Sequence, residues 1–221
     1  MSGIVGSRFN TRGSGLVGSL GTDGQVFTSS GAGAGAVFEA AAGGGEWARL
    51  DTTTVSSSVS SVVIDNVFSA TYQTYVLYFN GVTFNTAIHP YVQFVTGGDG
   101  TVASAANYST KWHEQHNDFG ASADASSYNT TPNGFYVTET YAQNSTDLAT
   151  YGQMTFYNPY SNSFYNTVTH LWSCYDGSHF YIQRGYGAYQ AKIVATGIKI
   201  QPNGANTLEA GEFVMYGIKR A

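Results

Sequence analysis

Hydrophobic and polar residues change their arrangement abruptly near residue 46. Beyond it, short β-branched and aromatic runs alternate with clusters of Gly, Asn, Asp, Ser and Pro, and helical spacing of apolar residues is hard to find. That pattern predicts strands over 47–53, 59–65, 75–82, 89–96, 108–114, 134–139, 151–157, 165–175, 180–184, 192–202 and 211–219. Many short strands at such spacing are the signature of an all-β sandwich or barrel with a single core, and an antiparallel β-sandwich, jelly-roll-like, is the expected form. Residues 46–221 are the size of one such domain.

Alternation within the predicted strands assigns faces. Val168, His170 and Trp172 share one face of their strand, which makes His170 either a polar group within the core or a ring at its edge. Tyr75, Leu77 and Phe79 oppose Val76, Tyr78 and Asn80, and apolar groups on both sides suggest a central strand whose outer side is also covered. Asp99-Gly100 and Asp176-Gly177 are hairpin-type dipeptides. Residues 121–132 are small, polar and rich in turn formers, and are expected to form a long loop.

Residues 1–45 are of opposite character. They are glycine-rich, and Arg8, Arg12, Asp23 and Glu39 are the only charges among them. So little side chain cannot offset the entropy of ordering the backbone, so order there requires a surface to lie on, in its own domain or in other subunits. An extended, glycine-rich N-terminal arm for attachment is therefore expected, followed by a projecting domain over 46–221.

Composition narrows the partners. Charged residues make up 10% of the chain, the net charge is −5, and no Lys/Arg stripe exists to neutralise phosphates, which argues against nucleic acid. No apolar run reaches the ~18 residues that would suggest membrane insertion by a helix. Cys174 has no second cysteine to pair with and lies in an apolar strand, where a thiol acts as a small buried hydrophobe. Aromatics at 15% beside many uncharged polar residues suit a binding surface.

The patterns that resemble catalytic motifs lack their context. Gly13-Ser14-Gly15-Leu16-Val17-Gly18 matches G-x-G-x-x-G, but no strand precedes it and no helix follows, so no dinucleotide site is expected. His113 and His116 are potential ligands to a divalent metal. On a strand, residues three apart point to opposite faces, so a site would need a turn there and further ligands such as Asp99 or Asp124. The alternative is a strand end entering a polar loop. Glu114, Asp118, Asp124 and Glu139 are carboxylates available for glycosidase chemistry, with nothing to distinguish them from solvated loop acids, and no G-x-S-x-G elbow occurs. No catalytic residue, metal or cofactor is assigned. Tyr157, Asn158, Tyr160, Asn162 and Tyr165 form a different kind of candidate, since rings that pack on sugar faces beside amides that bond hydroxyls suit glycan recognition. Core or subunit contact is the competing role.

Two segments carry a family resemblance. Leu20-Gly21-Thr22-Asp23-Gly24-Gln25-Val26-Phe27-Thr28-Ser29-Ser30-Gly31-Ala32-Gly33, leading to Glu46-Trp47, resembles the GT-x-GQVLTS-x-GAG segment before the C-terminal domains of bacteriophage tail-fibre and other virion proteins. The final strand Gly211-Glu212-Phe213-Val214-Met215-Tyr216-Gly217-Ile218-Lys219 is similar to their G-x-x-x-LYGIK strand. The resemblance implies a phage structural protein at the virion surface, a homotrimer, whose arm from Leu20 to Phe27 docks on other virion proteins. It leaves the place on the particle open; with no catalytic set assigned and no heptads or repeat for a long shaft, the expected role is a non-enzymatic short tail fibre or appendage whose sandwich binds a host surface glycan or protein. A capsid decoration protein and a host-glycan depolymerase are the alternatives.

Overall fold

The structure, a computed structural model, describes residues 25–28, 37–40, 47–86, 88–103, 107–118, 121–129, 133–137, 149–175 and 180–219; for 25–28, 37–40, 114, 116–118 and 121–129 it describes the backbone. The chain divides into two compact units, Met1–Gly45 and Glu46–Ala221. In the first, β1 (Gln25–Thr28) pairs antiparallel with β2 (Val37–Ala40), Gln25 opposite Ala40 and Thr28 opposite Val37. The arm thus contains a local antiparallel ladder, in which alternate residues exchange backbone hydrogen bonds.

The second unit is an all-β antiparallel sandwich, as its alternating pattern implies. Its strands are β3 (Trp47–Val55), β4 (Val62–Ile64), β5 (Tyr72–Phe84), β6 (Pro90–Val95), β7 (Tyr108–Asp118), β8 (Ala121–Asn129), β9 (Phe135–Tyr136), β10 (Thr150–Tyr157), β11 (Asn166–Tyr175), β12 (Phe180–Tyr189), β13 (Gly197–Pro202) and β14 (Leu208–Lys219). An eight-stranded sheet runs β3-β14-β5-β10-β11-β12-β7-β8, and a four-stranded sheet runs β4-β13-β6-β9. Leu77, Met154, Phe156, Trp172, Phe213 and Met215 of the large sheet meet Ile64, Val92, Phe94, Phe135, Ile198 and Ile200 of the small one in one buried cluster. Tyr108 links the layers, its hydroxyl accepting from the Phe94 amide at 2.8 Å, and burial raises its pKa.

Several boundaries differ from expectation for physical reasons. Residues 121–129 form β8 and not a loop, and the strand expected to end at 114 runs on to Asp118 to pair with it. β8 lies at the sheet edge and pairs only with β7 among the described residues, so backbone bonding sustains it without the apolar alternation that marks a buried strand. β12 continues to Tyr189, past the end expected at 184 and through two glycines. A Cβ at Gly185 would lie 2.6 Å from His170 Nε2, and one at Gly187 would lie 2.6 Å from the Phe135 ring, so these glycines leave room for rings from neighbouring elements. β13 begins at Gly197 and β4 is only three residues long, while of the strand expected over 134–139 the described residues form Phe135–Tyr136. The Asp99-Gly100 turn is present. The Gly100 amide donates to the Gly97 carbonyl at 3.2 Å, with φ of +77° at Gly100 and the Asp99 carboxylate accepting from the Thr101 amide at 3.0 Å. Asp176-Gly177 lies outside the described residues.

β5 is central in its sheet, flanked by β14 and β10. Tyr75, Leu77 and Phe79 are buried in the core; on the outer side Val76 is buried, Tyr78 is half-buried and Asn80 is exposed. The outer cover is a ring cluster in which Tyr216 stands 5.8 Å from Tyr78 and 6.0 Å from Trp47, both edge to face.

Candidate functional site

The glycan candidates fall together on one hairpin. β10 and β11 pair from Tyr151 opposite Ser173 to Tyr157 opposite Thr167, and residues 158–165 connect them. Tyr157, Tyr160, Phe164 and Tyr165 are exposed, Phe164 most of all, and Asn162 and Ser163 are exposed among them. Sequence reasoning named all of these except Phe164 and Ser163 as possible sugar contacts. Large rings held in water at a hairpin tip are unfavourable unless something covers them, so the tip has the character of a contact surface.

The hairpin is built to hold its shape. Asn158 takes a left-handed φ of +49°, its amide donates to the Gln73 carbonyl at 2.7 Å, and its carbonyl accepts from Ser161 at 3.1 Å. Asn166, wholly buried, donates its side-chain amide to the carbonyls of Asn158 at 3.2 Å and Pro159 at 2.9 Å. The Ala195 amide adds a bond to the Pro159 carbonyl at 2.9 Å. Asn158 therefore serves the turn through its backbone, while Tyr160, Asn162 and Tyr165 are the groups presented outward. Tyr157 is steadied by a 3.2 Å contact between its hydroxyl and that of Thr169.

The remaining candidates are dispersed. Gln25, Val26 and Phe27 lie in β1, while Leu20, Gly21, Thr22, Asp23 and Gly24 lie outside the described residues, as does the glycine pattern at 13–18. β7 runs through positions 113 and 116 in unbroken register, His113 opposite Arg184 and His116 opposite Tyr181, so the turn that a shared metal would need is not there. The two positions occupy opposite faces of the strand. No group of three or more His, Cys, Asp or Glu gathers among the described residues. Asp99 sits in the turn after β6, and Asp124 pairs with Gln115 across β7 and β8. Glu114 and Asp118 belong to β7, their side chains outside the description, and Glu139 lies outside it altogether. Cys174 lies buried on the inner face of β11.

His170 is inside the core. It is 5% exposed, neither ring nitrogen has a hydrogen-bond partner among the described residues, and burial pushes its pKa down to about 4. It is neutral at physiological pH, and its inward placement keeps it from solvent.

A second surface emerges only when the strands are assembled. On the outer side of the large sheet, Tyr216, Val76, Thr155, Thr169, Tyr186 and Lys111 form one row across β14, β5, β10, β11, β12 and β7. Val214, Tyr78, Gln153, Leu171, Arg184 and His113 form the next, and Tyr151, Ser173, Ile182 and Gln115 a third. Depressions of about 390 Å³ between Tyr78, Tyr151, Leu171 and Ile182, and of about 530 Å³ between Lys111, Thr169, Arg184 and Tyr186, open on this face. The strands contribute unequally, with Phe180, Ile182 and Tyr186 exposed on β12, Leu171 on β11 and Trp47 on β3, so the surface as a whole is visible only once the strands are ordered.

Comparison with protein-family models, with curated proteins and with solved structures finds no match to this chain.

Proposed function

We propose that this chain is a non-enzymatic structural protein of a bacteriophage particle, a short tail appendage whose sandwich binds the host surface through the β10–β11 hairpin. The observation that carries the reading is the set of exposed rings Tyr157, Tyr160, Phe164 and Tyr165, with Asn162 among them, on a hairpin anchored by buried Asn166. A fixed array of rings and amides loses little entropy on docking and suits a glycan or a polar protein surface. Residues 1–45 are the attachment element to other virion proteins, on the resemblance of Leu20–Phe27 to phage fibre segments.

The test is adsorption of particles carrying Tyr160→Ala, Phe164→Ala and Tyr165→Ala together. The expected result is normal incorporation with host adsorption reduced at least about tenfold, the loss of ~1.4 kcal/mol or more that hot-spot aromatics carry. Unchanged adsorption refutes the hairpin as the contact. Deleting residues 1–45 should yield a folded sandwich absent from particles, and hundreds of copies per particle would instead make the protein a shell decoration.

A further inference from the structure

We infer that the depression between β11, β12 and β7 on the outer side of the large sheet is a binding site for an acidic saccharide, a sugar ring that carries a carboxylate. It adjoins the β10–β11 hairpin at Tyr157 but is built from other residues, so the inference does not depend on the hairpin touching a host. The depression holds about 530 Å³, within the range of small-ligand pockets and enough for a sugar ring with its substituents. Lys111, His113, Thr169, Arg184 and Tyr186 line it from outward positions of the three strands.

Strand register places the two cations side by side. Arg184 pairs with His113 and Tyr186 with Lys111 across β12 and β7, so Arg184 and Lys111 are diagonal neighbours, ~7–8 Å apart at the backbone. Both are exposed, and no ion pair engages either among the described residues. Two like charges at that separation repel, and an anion between them relieves the repulsion. The sheet supplies no such anion nearby. β5 and β10 contain no Asp, Glu, Lys or Arg, and the outward residues of β11 are Thr167, Thr169, Leu171, Ser173 and Tyr175. On the other side Asp124 lies opposite Gln115, one row beyond His113 and two beyond Lys111. A strand spacing of ~4.8 Å and a rise of ~3.4 Å per residue put its backbone ~12 Å from that of Arg184 and ~14 Å from that of Lys111. Both separations exceed the ~10 Å over which exposed charges act in 0.1 M salt. Position 114 belongs to the opposite face of β7. In a chain of net charge −5, the depression is therefore a local reversal of sign.

The rest of the lining favours a sugar among anions. Tyr186, 60% exposed, presents a ring beside the cations, on which the apolar face of a sugar packs. Thr169 lies opposite Tyr186, and its hydroxyl meets that of Tyr157 at 3.2 Å, so groups able to donate to and accept from sugar hydroxyls border the ring. Arg184 carries the planar fork that binds a carboxylate through two parallel hydrogen bonds, with Lys111 as a second point charge. A nucleic acid is a poor match, because two cations neutralise too little of a phosphate backbone to hold it. A short acidic peptide would meet the cations but leave the ring and the hydroxyls unused.

The experiment is NMR titration of the purified full chain with trigalacturonate, beside maltotriose as the neutral trisaccharide, triaspartate as the acidic peptide and inorganic sulfate as the bare anion. The expected result is trigalacturonate binding at least about tenfold tighter than each of the other three, weakening as salt is raised. Arg184→Gln and Lys111→Gln should each weaken it about tenfold, as should Tyr186→Ala, which removes the ring and leaves both charges. Arg184→Lys keeps the charge without the fork and should recover only part of the loss. These side chains are exposed, so the variants should keep the circular dichroism and cooperative melt of the wild type. Thr169→Val, expected to weaken binding several-fold, is the further variant should one of them fail to fold. Phe164→Ala in the β10–β11 hairpin should leave trigalacturonate affinity unchanged, which separates this site from the hairpin contact. No trigalacturonate binding, equal binding of triaspartate or sulfate, or binding that survives Arg184→Gln with Lys111→Gln overturns the inference. So does a loss in Phe164→Ala equal to that in Arg184→Gln, which would place the sugar on the hairpin.

Discussion

His170 should make this domain sensitive to mild acid. The ring points from β11 into the core, opposite Met154 on β10 and Gly185 on β12, with both nitrogens unpartnered and its pKa depressed from about 6.5 to about 4. The direction of the effect follows from proton counting. Above pH 6.5 the ring is neutral in folded and unfolded chains alike, and stability does not depend on it. Between 6.5 and 4 the unfolded chain binds a proton that the folded chain excludes, so stability falls as pH falls, and below 4 the loss levels off. At 1.36 kcal/mol per pKa unit the full loss is about 3 kcal/mol, of which about 2.5 kcal/mol is present at pH 4.5. Against a typical 5–15 kcal/mol of total stability this is a large fraction. His170→Leu removes the titrating group together with two unpaired buried nitrogens. Urea unfolding of both proteins at pH 7.5 and 4.5 should show the wild type losing about 2.5 kcal/mol more than the variant over that interval. Asp99, held low by bonds from Thr101, and Glu209, held low by bonds from Ser58 and Thr207, weaken at lower pH in both proteins and cancel in the comparison. Equal pH dependence in the two proteins would show that the ring is hydrated or paired, and would refute the reasoning.

Three further outcomes follow from contacts in the fold. In Gly152→Ala the new Cβ would stand 2.5 Å from the Leu171 carbonyl and 2.6 Å from the Trp172 indole, so the melt should fall by the equivalent of about 1–3 kcal/mol, with near-ultraviolet dichroism of Trp172 altered. Tyr108→Phe strands the buried Phe94 amide and should cost about 1–3 kcal/mol in urea unfolding; a neutral result would mean that the amide finds another acceptor. Asn166→Ala removes one of two donors from each of the Asn158 and Pro159 carbonyls, leaving them the Ser161 and Ala195 amides, and should speed proteolysis within 158–165 while lowering stability by about 1–2 kcal/mol, measured by limited digestion and thermal melt.

Much of the sandwich was readable from alternation alone. Val168, His170 and Trp172 were placed on one face because a strand repeats every two residues, and all three are buried. The central position of β5 followed from apolar groups on both its faces. Where alternation is missing the reading failed. β8 carries small and polar residues and is held by its neighbour's backbone, and β12 passes through glycines whose missing side chains are replaced in space by His170 and Phe135. The candidate contact hairpin was partly visible, since Tyr157, Tyr160, Asn162 and Tyr165 are close in sequence. Its anchor was not, because what makes Asn166 matter is a pair of carbonyls that only the turn brings within reach.

By itself, then, the order of residues determined the all-β character, the change near residue 46 and the faces of the well-patterned strands, because these depend on neighbours two positions apart along one chain. Tertiary structure alone decided that Trp47, Tyr78, Tyr151, Leu171, Ile182 and Tyr186, drawn from five strands distant in sequence, share one uncharged-centred face. It also carried β7 unbroken through positions 113 and 116, without the turn that a shared metal would need. Strand order sets which side chains become neighbours across a sheet, and strand order is chosen by packing of the whole core, which no local stretch of sequence contains.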